Sequence, residues 1–331
     1  MARTGPSVDG ILVQWGSVLF EGPPKRFRGA DDPWLPSGWG RRGAAEIRDE
    51  IRALTQHSPQ VMVKIISNQS DMGAVRKVLK YISRDHTLTI TDELQDQYLG
   101  AEATLGLGEQ FKYASLPVRE TDGKWRETFH IEAGMPRDAL DGKTLREAVQ
   151  AFAATEFSGR KYAWTFHDHQ EHPHVHLLVR IVDCDFKRLN PRKADLQRWR
   201  EAFARELRLR GVEARATRRV TRGVAHAGQP LWNIEAKEQG RLGRDRSDLL
   251  ASGQNTMSRA LSAWGHIHNA LAASPDAADR QLAQQVKEYL ASTPMVRHMA
   301  GRAQIEQEQR QQHEAPQQPQ EYKQDRRVSR R

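Results

Sequence analysis

With 331 residues, 38 % of them apolar and 28 % charged, the chain can build one catalytic-size domain with extensions, but not a uniformly globular body. Lysine and arginine outnumber aspartate and glutamate by 51 to 42, a net charge of +9 that favours polyanionic partners, nucleic acid first and an anionic membrane second. A single cysteine, Cys184, excludes an intramolecular disulfide and a thiolate metal cluster, and suits a reducing, cytoplasmic setting.

Residues 1–57 read as an N-terminal extension. Their start lacks the basic and apolar regions of a secretory signal, and no run of about 18 apolar residues anywhere in the chain predicts a membrane span. Pro23, Pro24, Pro33 and Pro36, set among glycines, make Gly22 to Gly43 a loop or linker, followed by a short helix from Ala44 to Leu54. Val61 to Ile66 is an apolar run of strand length, and Ser67 to Ser70 reads as a polar turn. Met72 to Ile82 carries Val75, Val78, Leu79 and Ile82 on one helical stripe, with Tyr81 near the helix end, where position alone makes it an amphipathic residue touching the core with its ring. Phe129 to Ala133 is a strand and Lys143 to Phe157 a helix closed by Ser158-Gly159. Tyr162 to Phe166 and His174 to Val182 are strands. Leu196, Trp199, Phe203 and Leu207 then share one face of a helix that stops near Gly211. Strands and helices mix without βαβ alternation, which predicts an α+β fold: a central antiparallel β-sheet with flanking helices. Residues 58–225 form the expected catalytic domain. Residues 226–331 form a helical extension, with helices over Ser258–Leu271 and Asp276–Ala291, and from Gln304 a Gln/Arg-rich tail that is helical without a core face or disordered.

Five of the 13 histidines fall within His167 to His176. Alternate strand residues share a face, so His174 and His176 project together while Val175, Leu177 and Val179 face a core. His167 ends the preceding strand, and a short turn returns it beside the pair. Three neutral imidazoles can then hold one divalent cation with positions left open for substrate. Taken alone, His-X-His on a strand is more often structural; the third histidine favours a metal. Magnesium or manganese suits the chemistry, and zinc also accepts imidazole. A closed structural zinc site needs a fourth ligand that the sequence does not identify. His169, with Asp168, is a candidate for orienting a ligand imidazole, and His172 reads as a turn residue before Pro173.

The histidine segment, HDHQEHPHVHLLVR, resembles the H-x-D-x-x-x-P-H-x-H-x-x-x-N motif of conjugative relaxases, the MobA-like mobilisation nucleases and T-DNA border endonucleases. Upstream, Lys80-Tyr81-Ile82-Ser83-Arg84 resembles the family's tyrosine string after a strand and helix. Downstream, LNPRKADLQRWREAFARELRLRGVEARATRRVTRG resembles its turn, amphipathic helix and arginine-rich close. The three blocks cover about Val61 to Gly223. Two positions depart from the pattern: His169 stands where the family has an acid, with Asp168 one place early, and Arg180 stands where it has asparagine. The resemblance implies a metal-dependent, single-strand DNA endonuclease of the histidine-motif relaxase fold, with Tyr81 as nucleophile and a metal at His167, His174 and His176. It also implies a 5′-phosphotyrosine intermediate at an origin of transfer and rejoining of the strand afterwards. Tyr98, Tyr113 and Tyr162 are the competing nucleophiles. Accessory relaxosome proteins and a type IV secretion coupling protein are the implied partners, with the basic end Lys323 to Arg331 as an export signal or a weak DNA contact.

Lys187 to Arg222 holds 13 basic and 4 acidic residues, net +9, equal to the surplus of the whole chain. Lys187, Arg188, Arg192, Lys193, Arg218, Arg219 and Arg222, with Arg84, are the candidate DNA contacts. Three other readings share some of these features. A rolling-circle initiator or single-strand transposase would use the same chemistry, but those enzymes usually place the tyrosine after the histidines. A catalytically decayed DNA-binding or effector protein would ignore chelators, and a small metallohydrolase of RNA or nucleotides would form no tyrosine adduct.

Overall fold

The computed structural model describes residues 7–22, 42–136, 141–168, 173–224 and 247–297. The chain divides into two compact units, Arg52–Thr217 and a second made of Met1–Ile51 with Arg218–Arg331. No helix among the described residues is long and apolar enough to cross a membrane.

The Arg52–Thr217 unit is α+β, as expected. Its strands are β1 (Met62–Gln69), β2 (Ile90–Asp92), β3 (Gln97–Tyr98), β4 (Thr128–Gly134), β5 (Tyr162–His167) and β6 (His174–Arg180). They form one sheet in the order β1-β4-β6-β5-β2-β3, every neighbouring pair antiparallel. β6 lies inside the sheet and all seven of its residues are buried. Helices α3 (Met72–Ile82) and α4 (Gly100–Tyr113) cover one face. Helices α5 (Gly142–Glu156) and α6 (Lys193–Arg208) cover the other. Alternation along β6 serves both layers. Val175, Leu177 and Val179 pack with Phe152, Trp199 and Phe203, while Leu178 packs with Met72, Val75, Leu79 and Phe111. His174 and His176 share the Leu178 face.

Two of the four helices on this frame start where the sequence supplies an aspartate cap. Asp71 accepts from Ala74 N–H at 2.8 Å to open α3, and Asp141 accepts from Lys143 and Thr144 N–H at 2.8 and 2.9 Å to open α5. The polar turn expected at Ser67 to Ser70 is instead the end of β1, which runs on to Gln69. A register shift between Ile65 and Ser67 lets the strand continue as a polar edge. There Thr128 donates to Gln69 Oε1 at 2.6 Å.

The second unit is helical where described: α1 (Val8–Phe20), the start of α2 (Ala44–Thr55), α7 (Ser247–Ala272) and α8 (Ala277–Ser292). α1 is a helix within the expected extension; it is capped by Ser7 and packs on α7. Gly16 lets α1 approach α2, since a Cβ there would sit 2.6 Å from Ile47. Arg48 holds Asp279 through two bonds of 2.7 and 2.9 Å and Asp9 at 2.8 Å. The tail from Gln304, including Lys323 to Arg331, lies outside the described residues, as do His169 and His172.

Candidate active site

The β5–β6 pairing brings the histidines together. His167 and His174 are direct cross-strand partners, and His176 follows two residues on, opposite Thr165. All three side chains are buried. Their ring centroids are 5.3 Å (His167–His174), 4.5 Å (His167–His176) and 4.9 Å (His174–His176) apart.

One potential donor nitrogen from each ring lies within 4.8 Å of the others. Two nitrogens bound to one ion at about 2.1 Å in tetrahedral geometry are about 3.4 Å apart, so the rings would draw together to close on a cation. The chemistry of the donors also fits. Burial first, then the neighbouring histidines and Lys64, depress the His176 pKa to about 2. Such an imidazole is neutral at physiological pH, which is the form that binds metal. His167, His174 and His176 are therefore a fitting metal site, and the identity of the ion is open to imidazole-accepting divalent cations.

His167 is oriented by backbone. His167 Nε2 lies 2.7 Å from the carbonyl oxygen of Ile82. A carbonyl only accepts, so Nε2 carries the proton and Nδ1 the lone pair. Ile82 ends α3, whose last carbonyls have no partner within the helix. One bond thus satisfies a helix end and fixes the tautomer of His167. It also sets that ring beside Tyr81.

Tyr81 is 60 % exposed, and its ring stands edge-on to His176 at 5.6 Å and to His130 at 5.9 Å. A residue nearly ninety positions upstream of the histidines is thus placed against them. The chain turns sharply just after it: Arg84, Asp85 and His86 have φ of 48°, 55° and 68°, in the left-handed region. Non-glycine residues there are uncommon and store strain, which collects at functional sites. Asp85 N–H donates to Lys80 O at 3.0 Å and Ser83 Oγ to Leu79 O at 2.8 Å, closing the helix. Arg84 is exposed on this turn, and Asp168 is exposed immediately after His167.

Sequence reasoning passed over three residues here. His130 and Glu132 lie on β4, with Glu132 directly opposite His176, and Lys64 on β1 pairs with Glu132 at 2.8 Å. His130 Nε2 lies 2.9 Å from His176 Nδ1. Burial depresses the His130 pKa to about 4 against the opposing pull of Glu132. The available signal was the alternation in Phe129-His130-Ile131-Glu132, which sets two polar side chains on one face of an otherwise buried strand.

Gly134 is the cross-strand partner of His174, and a Cβ there would lie 2.9 Å from His174 Cβ and 3.0 Å from the Pro173 carbonyl. Only glycine leaves that imidazole where it is. Gly134→Val should displace His174 and weaken divalent-metal binding by about 10–100-fold, since ångström-scale misplacement of a working group costs on that order. Titration calorimetry with manganese checks it; unchanged affinity would show that the strand pair absorbs the extra carbons elsewhere.

The basic residues just after β6 do not cluster around the histidines. Lys187, Arg188, Arg192 and Lys193 follow the far end of β6, roughly 20 Å along the strand from His174. Lys187 pairs with Asp185 at 3.1 Å, Arg188 donates to the Arg126 carbonyl, and Arg192 N–H donates to Asp195 at 2.7 Å. Arg218, Arg219 and Arg222 belong to the helical unit. Arg218 lies against Gly22, and burial lowers its pKa from the ordinary arginine value.

No curated protein matches the chain. A family model does: residues 81–211 match the relaxase family described as MobA/VirD2-like, nuclease domain. That stretch, 131 of the 331 residues, opens on Tyr81 and contains all three clustered histidines, so this part of the chain is similar to the nuclease domain of MobA/VirD2-like relaxases.

Proposed function

We propose that this protein nicks single-stranded DNA at an origin of transfer by tyrosine transesterification, and later rejoins the strand. The observation that carries the reading is the placement of the exposed Tyr81 phenol against the buried imidazole cluster. The Tyr81 oxygen attacks phosphorus, and its proton passes to solvent. An O–P bond forms to the phenol, and the bond from phosphorus to the 3′-oxygen breaks. The leaving oxygen takes a proton and becomes a free 3′-hydroxyl, while the 5′-phosphate stays on Tyr81. The new phosphodiester keeps the energy of the old one, so a 3′-hydroxyl can reverse the step.

A divalent cation held by His167, His174 and His176 supplies Lewis-acid stabilisation of the charge on the phosphate oxygens. Ile82 O and His130 hold two of those rings in place. Asp168 and His169 serve as outer partners of the ligands in this reading. Arg84, one turn beyond Tyr81, contacts a backbone phosphate. Lys187, Arg188, Arg192, Lys193, Arg218, Arg219 and Arg222 are assigned to other phosphates of the DNA. The nuclease work is assigned to residues 58–225 and to the cytoplasm, with accessory relaxosome proteins and a type IV secretion coupling protein as partners.

Incubation with a supercoiled plasmid carrying the cognate origin tests this. With magnesium or manganese, the expected products are a nicked circle and a covalent protein–DNA complex resistant to detergent. Chelator should abolish both. A plasmid bound with equal affinity but never cut, with or without metal, would favour a pure DNA-binding protein.

A further inference from the structure

We infer that His130 is a positioning residue for this centre: its imidazole accepts a hydrogen bond from His176 and so holds His176 in the tautomer whose Nε2 is the metal donor. The inference rests on the metal-dependent reading of the three-histidine cluster and adds a fourth imidazole to it.

The geometry leaves two proton arrangements. His130 Nε2 and His176 Nδ1 are 2.9 Å apart and both rings are buried, so one proton lies between them. If His130 supplies it, His176 in its neutral form carries its own proton on Nε2 and cannot bind a metal there. If His176 Nδ1 supplies it, His176 Nε2 bears a lone pair, and His130 carries its proton on Nδ1. Only the second arrangement makes His176 a ligand. His130 must then act as an acceptor, a role that a carboxylate or carbonyl beside a metal-bound histidine commonly fills.

The two oriented ligands make a matched pair. His167 gives its Nε2–H to Ile82 O and presents Nδ1. His176 gives its Nδ1–H to His130 and presents Nε2. His130 reaches this place because β4 pairs with β6 in a register that sets Glu132 opposite His176 and His130 opposite Leu178, on the face shared with the cluster. The same ring stands edge-on to Tyr81 at 5.9 Å and tilted against His176 at 4.9 Å, so shape and hydrogen bonding must be separated.

His130→Phe keeps an aromatic ring and loses the acceptor; His130→Gln loses the ring and keeps an acceptor. With the full chain, manganese affinity should fall about 10–100-fold in His130→Phe, the scale for losing an outer partner of a metal ligand. It should recover to within a few-fold in His130→Gln. Both variants should remain folded, and single-stranded DNA binding in chelator should stay as in the parent for both. Wild-type affinity in His130→Phe, or equal losses in both variants, would overturn the inference. A readout on the unaltered protein does not depend on either variant folding. In zinc-loaded, 15N-labelled protein, the proton should be on His176 Nδ1, with His130 Nε2 unprotonated; a proton on His130 Nε2 would overturn it. If the parent binds no divalent metal at all, the metal-dependent reading falls with it, a result distinct from a parent that binds metal indifferent to His130.

Discussion

Tyr81→Phe should leave the plasmid supercoiled and abolish the covalent complex, a loss on the order of 10⁴-fold or more, as expected when a nucleophile is removed outright. One oxygen is deleted and nothing else. The ring that stands edge-on to His130 and His176 is kept, and at 60 % exposure its hydroxyl contributes little to folding. Metal binding and affinity for single-stranded DNA should therefore stay within about two-fold of the parent, given the small effects usual at such surface sites. No other tyrosine on the list of rivals can substitute. Tyr162 is buried among Phe157 and the α5–α6 core, with its pKa pushed up to about 12 by burial and by Glu93 and Asp92. The Tyr98 hydroxyl donates to Asp92 at 2.9 Å on the β2–β3 edge, and burial raises its pKa. Tyr113 ends α4, next to the Ser115–Leu116 segment that meets the opposite end of β6. Gel analysis in detergent reads the result. Persistent adduct in Tyr81→Phe would move the chemistry to another residue.

The second large effect is on stability. Arg180, where relaxases carry asparagine in the histidine motif, is fully buried at the end of β6. It donates to the Glu127 carboxylate at 3.0 Å, the Glu127 carbonyl at 3.2 Å, Ser115 Oγ at 3.1 Å and the Leu116 carbonyl at 2.8 Å. A long guanidinium thus pins two loops to the central strand, a reach that asparagine lacks. Six positions separate it from His174, roughly 20 Å along the strand, so this departure from the motif lies away from the histidine cluster. Arg180→Ala leaves Glu127 and the part-buried acceptors Ser115 Oγ and Leu116 O without their donor. Breaking a buried pair from one side costs about 3–5 kcal/mol, a large share of a domain's stability. The melting temperature should drop by roughly 10 °C. Replacing both partners, Arg180→Met with Glu127→Leu, should restore part of it, because a buried ion pair exchanged for apolar side chains is often neutral. Calorimetry checks both variants; an unchanged melting temperature in Arg180→Ala would mean that the loops hold without the network.

Much of this architecture can be read from local pattern. The stripe Met72, Val75, Leu79 and Ile82, the alternation of His174 and His176, and the apolar face of α6 are each set by residues a few positions apart. What is not legible depends on distant partners. α4 carries Gly100, Gly106 and Gly108, which weaken a helix taken alone. It forms because Leu107 and Phe111 bury against Leu79 and Val75, and at Gly108 an added Cβ would already touch Leu79 at 3.8 Å. α1 lies in a stretch that reads as an extension, and its apolar residues acquire a purpose only against α7. His130 is visible as a polar residue in a strand, but its role depends on the β4–β6 register, a pairing across 46 residues. The basic stretch from Lys187 to Arg222 misleads in the opposite direction. Contiguous in sequence, its members divide between strand-end turns, α6 and a separate helical unit. Several of its guanidinium groups are engaged within the fold: Arg198 with Glu156, Arg210 with Glu206, and Arg208 with the Ala214 carbonyl.

Mass spectrometry of the trapped complex tests most directly whether Tyr81 and the three imidazoles serve one phosphate. After the protein is incubated with origin DNA and a divalent metal, then digested with trypsin and nuclease, the nucleotide should be found on Tyr81-Ile82-Ser83-Arg84, linked through its 5′-phosphate. It should be absent when chelator is present. A nucleotide on a peptide containing Tyr98, Tyr113 or Tyr162, or the same Tyr81 adduct formed at full yield without metal, would contradict the account.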